Sequence, residues 1–551
     1  MSSARLCPSS LRRVCLAHGL FAALLIVACM PNELLVVGAA VEGPVVRIED
    51  GLVAGKSIRV GGKSVDAFLG IPYAKAPVGA LRFKKPRFPR RWTGTLNATT
   101  MPKPCWQLPL RFLPNVTVDY AGLSSEDCLY LNVWKPTTSC TRYGGRCRTR
   151  RPVVVFIHGG AFQWGDTALF VYNPSNFVAL SDVVFVTFNY RVSIMGFLTS
   201  KVAGLQGNIG LWDQNAVLRW VRRNIAQFGG DPQEVTLVGQ SAGGISAAIH
   251  AVSPYSRGLF KRMVLQSGTP LSLILGISFG GRGQMIRTAF EMDCFDKQKK
   301  FEEQGQAIAE CVRAMDAAKM FKKLDSVELT EQMYLPVDEE DFIPGKVLSA
   351  QLWRRLAVKD ILIGSNADEG TLFFRLLKES VPVFNKLLFS DYRSLMSLVL
   401  SEMFGIDLDD GKDLVQAYFG DPDKEYSEDE VIQIISKMIG DATFSCPTFF
   451  FGEIAAEQGL NVYRYLFNYR ATHSFWPEWM GVAHADELPY TLGSLPFFKD
   501  GKQLAERLGR SAVEFSERLH YTPEEEMFMK NVVGTWASFA KTGYVPRTKK
   551  S

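Results

Sequence analysis

Val235-Thr236-Leu237-Val238-Gly239-Gln240-Ser241-Ala242-Gly243-Gly244 is the stretch whose reading decides the fold. A β-rich run enters Gly-x-Ser-x-Gly and leaves into Ile245, Ala247, Ala248 and Ile249, whose spacing predicts a helix. Strand, sharp turn and helix in that order are what a nucleophile elbow requires. Glycines at 239 and 243 keep Cβ atoms out of the collision between strand and helix that such a turn forces. At the helix start, Ser241 would gain from the positive end of the dipole as an alkoxide develops. The bland alternative is a chance five-residue match in a turn, and the flanking strand and helix argue against it.

Working outward, short β-branched runs stand between helical patterns: Val153 to Ile157, Val183 to Phe188, Val235 to Val238, Met263 to Leu265 and Ile361 to Ile363. They are continuous apolar runs, as expected of strands buried on both faces of a largely parallel sheet. From Asp213, the residues Val217, Trp220, Val221, Ile225 and Phe228 recur at helical spacing, and Gly229-Gly230 stops the run. Strand–helix alternation of this kind predicts an α/β doubly wound sheet. The stretches from about Leu271 to Val358 and from Thr371 to Asp441 are rich in helix formers and read as helical insertions that wall a site.

After the strand at Val153 comes His158-Gly159-Gly160-Ala161-Phe162. A tetrahedral intermediate carries an oxyanion, and backbone N–H donors aimed at it are often the largest single catalytic contribution. Gly159, Gly160 and the N–H of Ala242 would supply three. His158, beside these glycines, reads as a structural histidine holding the loop rather than a base.

The N-terminus bears on the compartment. Arg5, Arg12 and Arg13 precede an apolar run from Leu20 to Met30, and a second patch, Leu34 to Val37, leads into Gly38, Ala39 and Ala40. That layout predicts a secretory signal peptide over 1–40, with a signal anchor as the alternative. A single domain over 41–551 follows, because no linker or low-complexity tract divides a chain whose length alone would allow two or three domains. Removing three basic residues and Glu33 takes the net charge from +6 to +4. With Lys and Arg scattered, nucleic acid is not an expected partner, and the basic run Arg146 to Arg151 reads as a solvated loop. No further apolar stretch predicts a stable membrane span after signal removal.

Of ten cysteines, Cys7, Cys15 and Cys29 would leave with the signal. The remainder fall into sequence-local pairs, Cys105 with Cys128, Cys140 with Cys147 and Cys294 with Cys311, with Cys446 left over. Local pairing is the simplest of many connectivities and suits an oxidising, extracellular compartment. The sequons at Asn97 and Asn115 fit the same setting. No metal-ligand cluster and no cofactor motif is apparent.

Gly-Gln-Ser-Ala-Gly, His-Gly-Gly-Ala-Phe and Ser125-Glu126-Asp127-Cys128-Leu129-Tyr130-Leu131-Asn132-Val133-Trp134 together resemble the type B carboxylesterase/lipase family, which includes cholinesterases. So do Phe68-Leu69-Gly70-Ile71-Pro72-Tyr73-Ala74, Asn189-Tyr190-Arg191, Gly207-Asn208 through Asp213-Gln214, Leu265-Gln266-Ser267-Gly268 and Phe539-Ala540-Lys541-Thr542-Gly543. The resemblance spans nearly all of the chain. It implies a single α/β-hydrolase domain with a deep gorge leading to the serine, and a small-molecule ester as substrate. Arg82 with Glu126, and Arg191 with Asp213, look like the family's structural ion pairs. The family continues further past Phe539 to Gly543, so the C-terminal end reads as short, and Cys446 lacks the partner the family would give it. No ER-retrieval tetrapeptide or lipid-anchor tail ends the chain.

In this fold the triad runs serine, acid, histidine along the chain. Six histidines exist, and His484 in Gly481-Val482-Ala483-His484-Ala485-Asp486-Glu487-Leu488 matches the family's histidine loop. His473 is a weak competitor, and His250 and His520 are set aside by position. The acid lies in Ile361-Leu362-Ile363-Gly364-Ser365-Asn366-Ala367-Asp368-Glu369-Gly370, where the resemblance implies Glu369 rather than Asp368. Its role would be to fix the imidazole tautomer. Ser267 is expected to hydrogen-bond that carboxylate.

Cholinesterases carry a glutamate beside the serine and a tryptophan ahead of their first disulfide loop's closing cysteine; Gln240 and Val118 stand at the matching positions. A carboxylate ~6 Å from a quaternary ammonium would contribute roughly 2–3 kcal/mol, and an aromatic face about 1–2 more. Lacking both, the chain is expected to take neutral, apolar esters. Gln240, Arg82-Phe83, Asp213-Gln214 and Gly-x-x-His-x-x-Glu from Gly481 also resemble juvenile hormone esterases. The competing expectations are a slow, sequestering esterase and a non-catalytic, neuroligin-like adhesion protein. Oligomeric state is not legible.

Overall fold

The computed structural model describes residues 43–546 apart from 114–115, 121, 138–149, 274–281, 327–332, 339, 348, 405, 422, 473, 475 and 500–520. The expected signal over 1–40, Cys140, Cys147, Asn115, His473 and His520 lie outside the described residues. From Pro44 onward the chain forms one unit.

Nine strands build the central sheet: β1 (Lys56–Val60), β2 (Lys63–Pro72), β3 (Tyr130–Pro136), β4 (Arg151–Ile157), β5 (Val184–Phe188), β6 (Gly230–Gln240), β7 (Arg262–Gln266), β8 (Asp360–Asn366) and β9 (Asn461–Phe467). Their order across the sheet is β9-β8-β7-β6-β4-β5-β3-β2-β1. The β1–β2, β2–β3 and β3–β5 pairings are antiparallel, and the five from β5 through β9 are parallel. All five β-branched runs read from the sequence are strands of this sheet.

The continuous apolar runs follow from burial on both faces. Val153, Val155 and Ile157 of β4 enter one core, together with Leu237 of β6, Leu265 of β7 and Ile363 of β8. The alternate residues Val154, Phe156, Val238, Val264 and Leu362 enter the other. Side chains alternate along a strand, so in a strand covered on both sides successive residues of either face are mostly apolar. Helices supply the cover. On the first face lie α2 (Ile209–Asn224), with Val217, Trp220 and Val221, and α3 (Ala242–Val252), with Ala247, Ala248 and Ile249. On the second lie α1 (Ser175–Ser181), with Phe177 and Val178, and α7 (Pro523–Thr542), with Val533, Ala537 and Phe539. Helix α2 ends one residue before a 3₁₀ turn, Ile225–Phe228, which Gly229 closes at φ 81°.

The two expected insertions are helical. The second contains α4 (Gly370–Ser380) and α5 (Glu428–Gly440) and carries a core of its own, including Phe374, Phe384, Leu388, Val431 and Ile435. A π-helical turn, Asp441–Ser445, joins α5 to α6 (Cys446–Glu457). Gly370 is where the insertion meets the sheet: a Cβ there would lie 1.8 Å from the Ser436 carbonyl oxygen on α5. Only glycine lets α4 begin so close to α5, and Glu369 stands at the N-cap position of α4 with its side chain turned elsewhere.

Among the described residues, two bridges, Cys105–Cys128 and Cys294–Cys311, are formed, and Cys446 is exposed and unbridged. Beside the first bridge, Arg82 grips Glu126 with two hydrogen bonds of 2.7 and 2.6 Å. Arg191 pairs with fully buried Asp213 through two bonds of 2.7 Å. Asn97 is exposed on a short edge strand, Thr95–Asn97. No helix among the described residues is long and apolar enough to cross a membrane.

Candidate active site

Ser241 sits between β6 and α3 with φ 55° and ψ −125°, a strained conformation for a residue with a side chain. Its N–H donates to Gln266 O at 2.8 Å, and its carbonyl accepts from Ile245 N, so the surrounding backbone over-determines the turn. A Cβ at Gly239 would lie 2.1 Å from the Gly243 carbonyl oxygen, and one at Gly243 the same distance from the Ile157 carbonyl oxygen. These contacts are the physical reason for the two glycines of the motif.

The His158–Phe162 loop leaves β4 alongside. Gly159 lies against Gln240 and Ser241, and a Cβ there would come within 3.0 Å of Ser241 Cβ. Among the described residues, neither the Gly159 nor the Gly160 N–H donates to another group of the chain. Ala242 is the first residue of α3, so its N–H has no intrahelical acceptor. Three uncommitted donors therefore surround the serine. His158 is buried, stacks on Tyr190 at 4.4 Å, and donates from Nδ1 to Gly159 O at 2.8 Å. Burial pushes its imidazole down to about 4, so the ring is neutral and braces the loop.

Glu369 and His484, 115 residues apart, meet through His484 Nδ1 and Glu369 Oε2 at 2.5 Å. Both are buried. A carboxylate can only accept, so Nδ1 carries the proton and Nε2 presents its lone pair. Glu369 Oε1 accepts from Asn366 N at 2.7 Å, which fixes the carboxylate plane. Asp368, the neighbouring acid, is turned away from the ring: its Oδ2 accepts from Val482 N at 2.8 Å and holds the histidine loop by its backbone. Asp486 holds the same loop from the other side, accepting from Ala483 N and Trp476 Nε1. Burial raises its carboxyl to about 7. The insertion supplies the wall, with Phe444 of the π-turn 4.4 Å and Phe373 of α4 5.4 Å from the imidazole.

One expectation is corrected. Ser267 does not hydrogen-bond Glu369: its Oγ is buried and without a partner among the described residues, while the carboxylate oxygens accept from Asn366 N and His484 Nδ1. Nor does a hydrogen bond join Ser241 Oγ to His484 there. Instead Gln240 Nε2 lies 3.3 Å from His484 Nε2.

Sequence reasoning also missed Glu487 and Asn366 as site residues. Glu487 is fully buried and accepts from Asn366 Nδ2 at 2.9 Å and Gln266 Nε2 at 3.2 Å. Burial, with Glu369 nearby, raises its carboxyl above the usual range. A signal existed, since an acid three residues after a candidate base shares its turn. His250 lies inside α3 and is bonded to Gln214 and Ser256, away from the elbow. Among the described residues no cluster of three or more His, Cys, Asp or Glu is arranged to hold a metal ion.

Residues 42–551 match the sequence model of the Carboxylesterase family. An acetylcholinesterase of Leptinotarsa decemlineata is 34% identical over 505 residues, covering 86% of this chain and 78% of that protein. Acetylcholinesterase-1 of Trittame loki is 32% identical over 91% of this chain and 86% of its own length, and a cholinesterase of Mus musculus 32% identical over 91% and 79%. A mostly parallel sheet with a serine elbow at its centre, matched by one family model from residue 42 to the last, makes this chain a member of the carboxylesterase family, an α/β-hydrolase that hydrolyses carboxylic esters.

Proposed function

We propose that this esterase cleaves neutral, apolar carboxylic esters through an acyl-enzyme on Ser241, with His484 as general base and Glu369 as the acid that orients it. The observation that carries the reading is the 2.5 Å His484–Glu369 pair beside a strained serine turn. The ester carbonyl would seat its oxygen at the Gly159, Gly160 and Ala242 N–H groups, which meet no other acceptor among the described residues. Ser241 Oγ attacks as Nε2 takes its proton; the imidazolium then protonates the leaving alcohol, and water repeats the cycle on the acyl-enzyme. Glu369 stabilises the imidazolium without taking the proton. Phe373 and Phe444 exclude water from one side of the ring, which strengthens each of these interactions.

Neutral substrates follow from Gln240 and Val118. Both are buried where the resemblance calls for a carboxylate and an aromatic ring, and neither attracts a cation. Two disulfides and exposed Asn97 support a secreted protein.

The test is a series of p-nitrophenyl esters of increasing acyl length, assayed with the natural chain and Ser241→Ala. A choline ester and its uncharged 3,3-dimethylbutyl isostere complete the set. Turnover is expected to fall by up to ~10⁶ on the substitution, as in measured triads, and the isostere is expected to match or exceed the choline ester. Equal rates for the two proteins would sink the triad. A stoichiometric burst followed by negligible turnover would point to sequestration.

A further inference from the structure

Gln240 immediately precedes Ser241, so its side chain rides on the elbow itself. It is buried, and its amide bridges two parts of the site. Its nitrogen lies 3.3 Å from His484 Nε2. Its oxygen faces the glycine loop, where a Cβ at Gly159 would come within 2.6 Å of it. We propose that Gln240 is a positioning residue of the base: its N–H donates to the Nε2 lone pair in the free enzyme, favouring the neutral imidazole and occupying the place the Ser241 hydroxyl must take. This rests on the hydrolase reading of Ser241, His484 and Glu369.

The chemistry is fixed by the other side of the ring. Nδ1 gives its proton to Glu369, so a neutral His484 has only an acceptor at Nε2, and the amide N–H satisfies it. A donor at that nitrogen stabilises the base form and opposes protonation. A carboxylate at position 240 would do the reverse. The remaining groups around the ring are the apolar Phe373 and Phe444, Glu487 buried behind the loop, and Asp368 and Asp486 bound to loop backbone. None of them is bonded to Gln240, so replacing that residue isolates its effect.

The experiment is the pH dependence of kcat/KM for a neutral p-nitrophenyl ester, measured on the full chain, on Gln240→Met and on Gln240→Glu. Methionine keeps the length and removes the donor. Its acid-limb midpoint is expected to rise by about 0.4 to 1 pH unit, the equivalent of one net hydrogen bond. Glutamate is expected to raise it by more than about one unit. The midpoint does not depend on how much of a variant folds, and either variant alone decides. A midpoint unchanged, or lower, in a variant that retains activity overturns the inference; a lower one would mean that the amide accepts instead of donating. A Ser241→Ala control that keeps its rate would refute the hydrolase reading, whereas flat midpoints with a silent control refute the role of Gln240 alone.

Discussion

Replacing Glu369 by glutamine tests the site most directly, because the change is isosteric and the two carboxylate oxygens have separate duties. Oε1 accepts from Asn366 N at 2.7 Å, and Oε2 from His484 Nδ1 at 2.5 Å. Glutamine has one acceptor oxygen. If it stays with Asn366, the NH₂ faces Nδ1, which must then accept, and the ring proton moves to Nε2. That tautomer cannot take a proton from Ser241, and Gln240 could turn its oxygen to stabilise it. If the oxygen instead serves Nδ1, the NH₂ is forced against the Asn366 N–H, and a buried donor left without an acceptor costs about 1–3 kcal/mol. The first arrangement is therefore the cheaper, and it disables the base. By analogy with the acid of a serine protease triad, kcat should fall about 10⁴-fold, equivalent to roughly 5 kcal/mol of barrier. Steady-state turnover of a short p-nitrophenyl ester, normalised to correctly folded protein by circular dichroism, measures it. A Glu369→Gln enzyme within tenfold of the natural rate would refute the assignment of Glu369 as orienting acid.

Two further outcomes follow from contacts around the elbow and the histidine loop. Gly243→Ala sets a Cβ 2.1 Å from the Ile157 carbonyl oxygen, backbone against backbone, so β4 and α3 must separate; a loss of about 3 kcal/mol or more in urea unfolding is expected, and a loss below about 1 would show that the elbow tolerates the spacing. Asp486, with its carboxyl raised to about 7, keeps its proton in the folded chain while the unfolded chain has already released it above about pH 4. Stability should therefore decline by at most about 1.4 kcal/mol per pH unit as pH rises from about 4 to 7, and level off above. Asp486→Asn should remove that slope, and thermal melts at pH 5 and pH 7 that differ equally in both proteins would disprove it.

What was legible in the sequence, and what was not, divides along sequence distance and side-chain geometry. The strands of the parallel half were readable because burial on two faces leaves no polar position in Val153–Ile157 or Ile361–Ile363. The serine turn was readable because strand, turn and helix are contiguous in sequence and the collision at Gly239, against the Gly243 carbonyl, lies within the turn itself. The histidine and its acid needed the family resemblance, since nothing in the spacing of residues 369 and 484 announces that β8 and the loop after β9 end side by side. Ser267 was misjudged for a different reason. The Leu265-Gln266-Ser267-Gly268 stretch suggested a hydroxyl near the acid, but Glu369 turns Oε1 to Asn366 N and Oε2 to His484 Nδ1, and the Ser267 hydroxyl bonds to neither oxygen. Gln240 was read as a lost cation contact and as part of the juvenile hormone esterase resemblance, not as a partner of the base. Its amide, however, faces both ways, and which nitrogen it meets depends on a ring delivered from 244 residues downstream. A substitution that removes one electrostatic interaction supplies another in the same place: the carboxylate that would hold a cation, and favour a protonated ring, becomes a donor that favours a neutral one. On the proposed reading, position 240 bears on both substrate charge and the readiness of the base, so a change there toward neutral esters would carry with it a change in the pH at which the base is available.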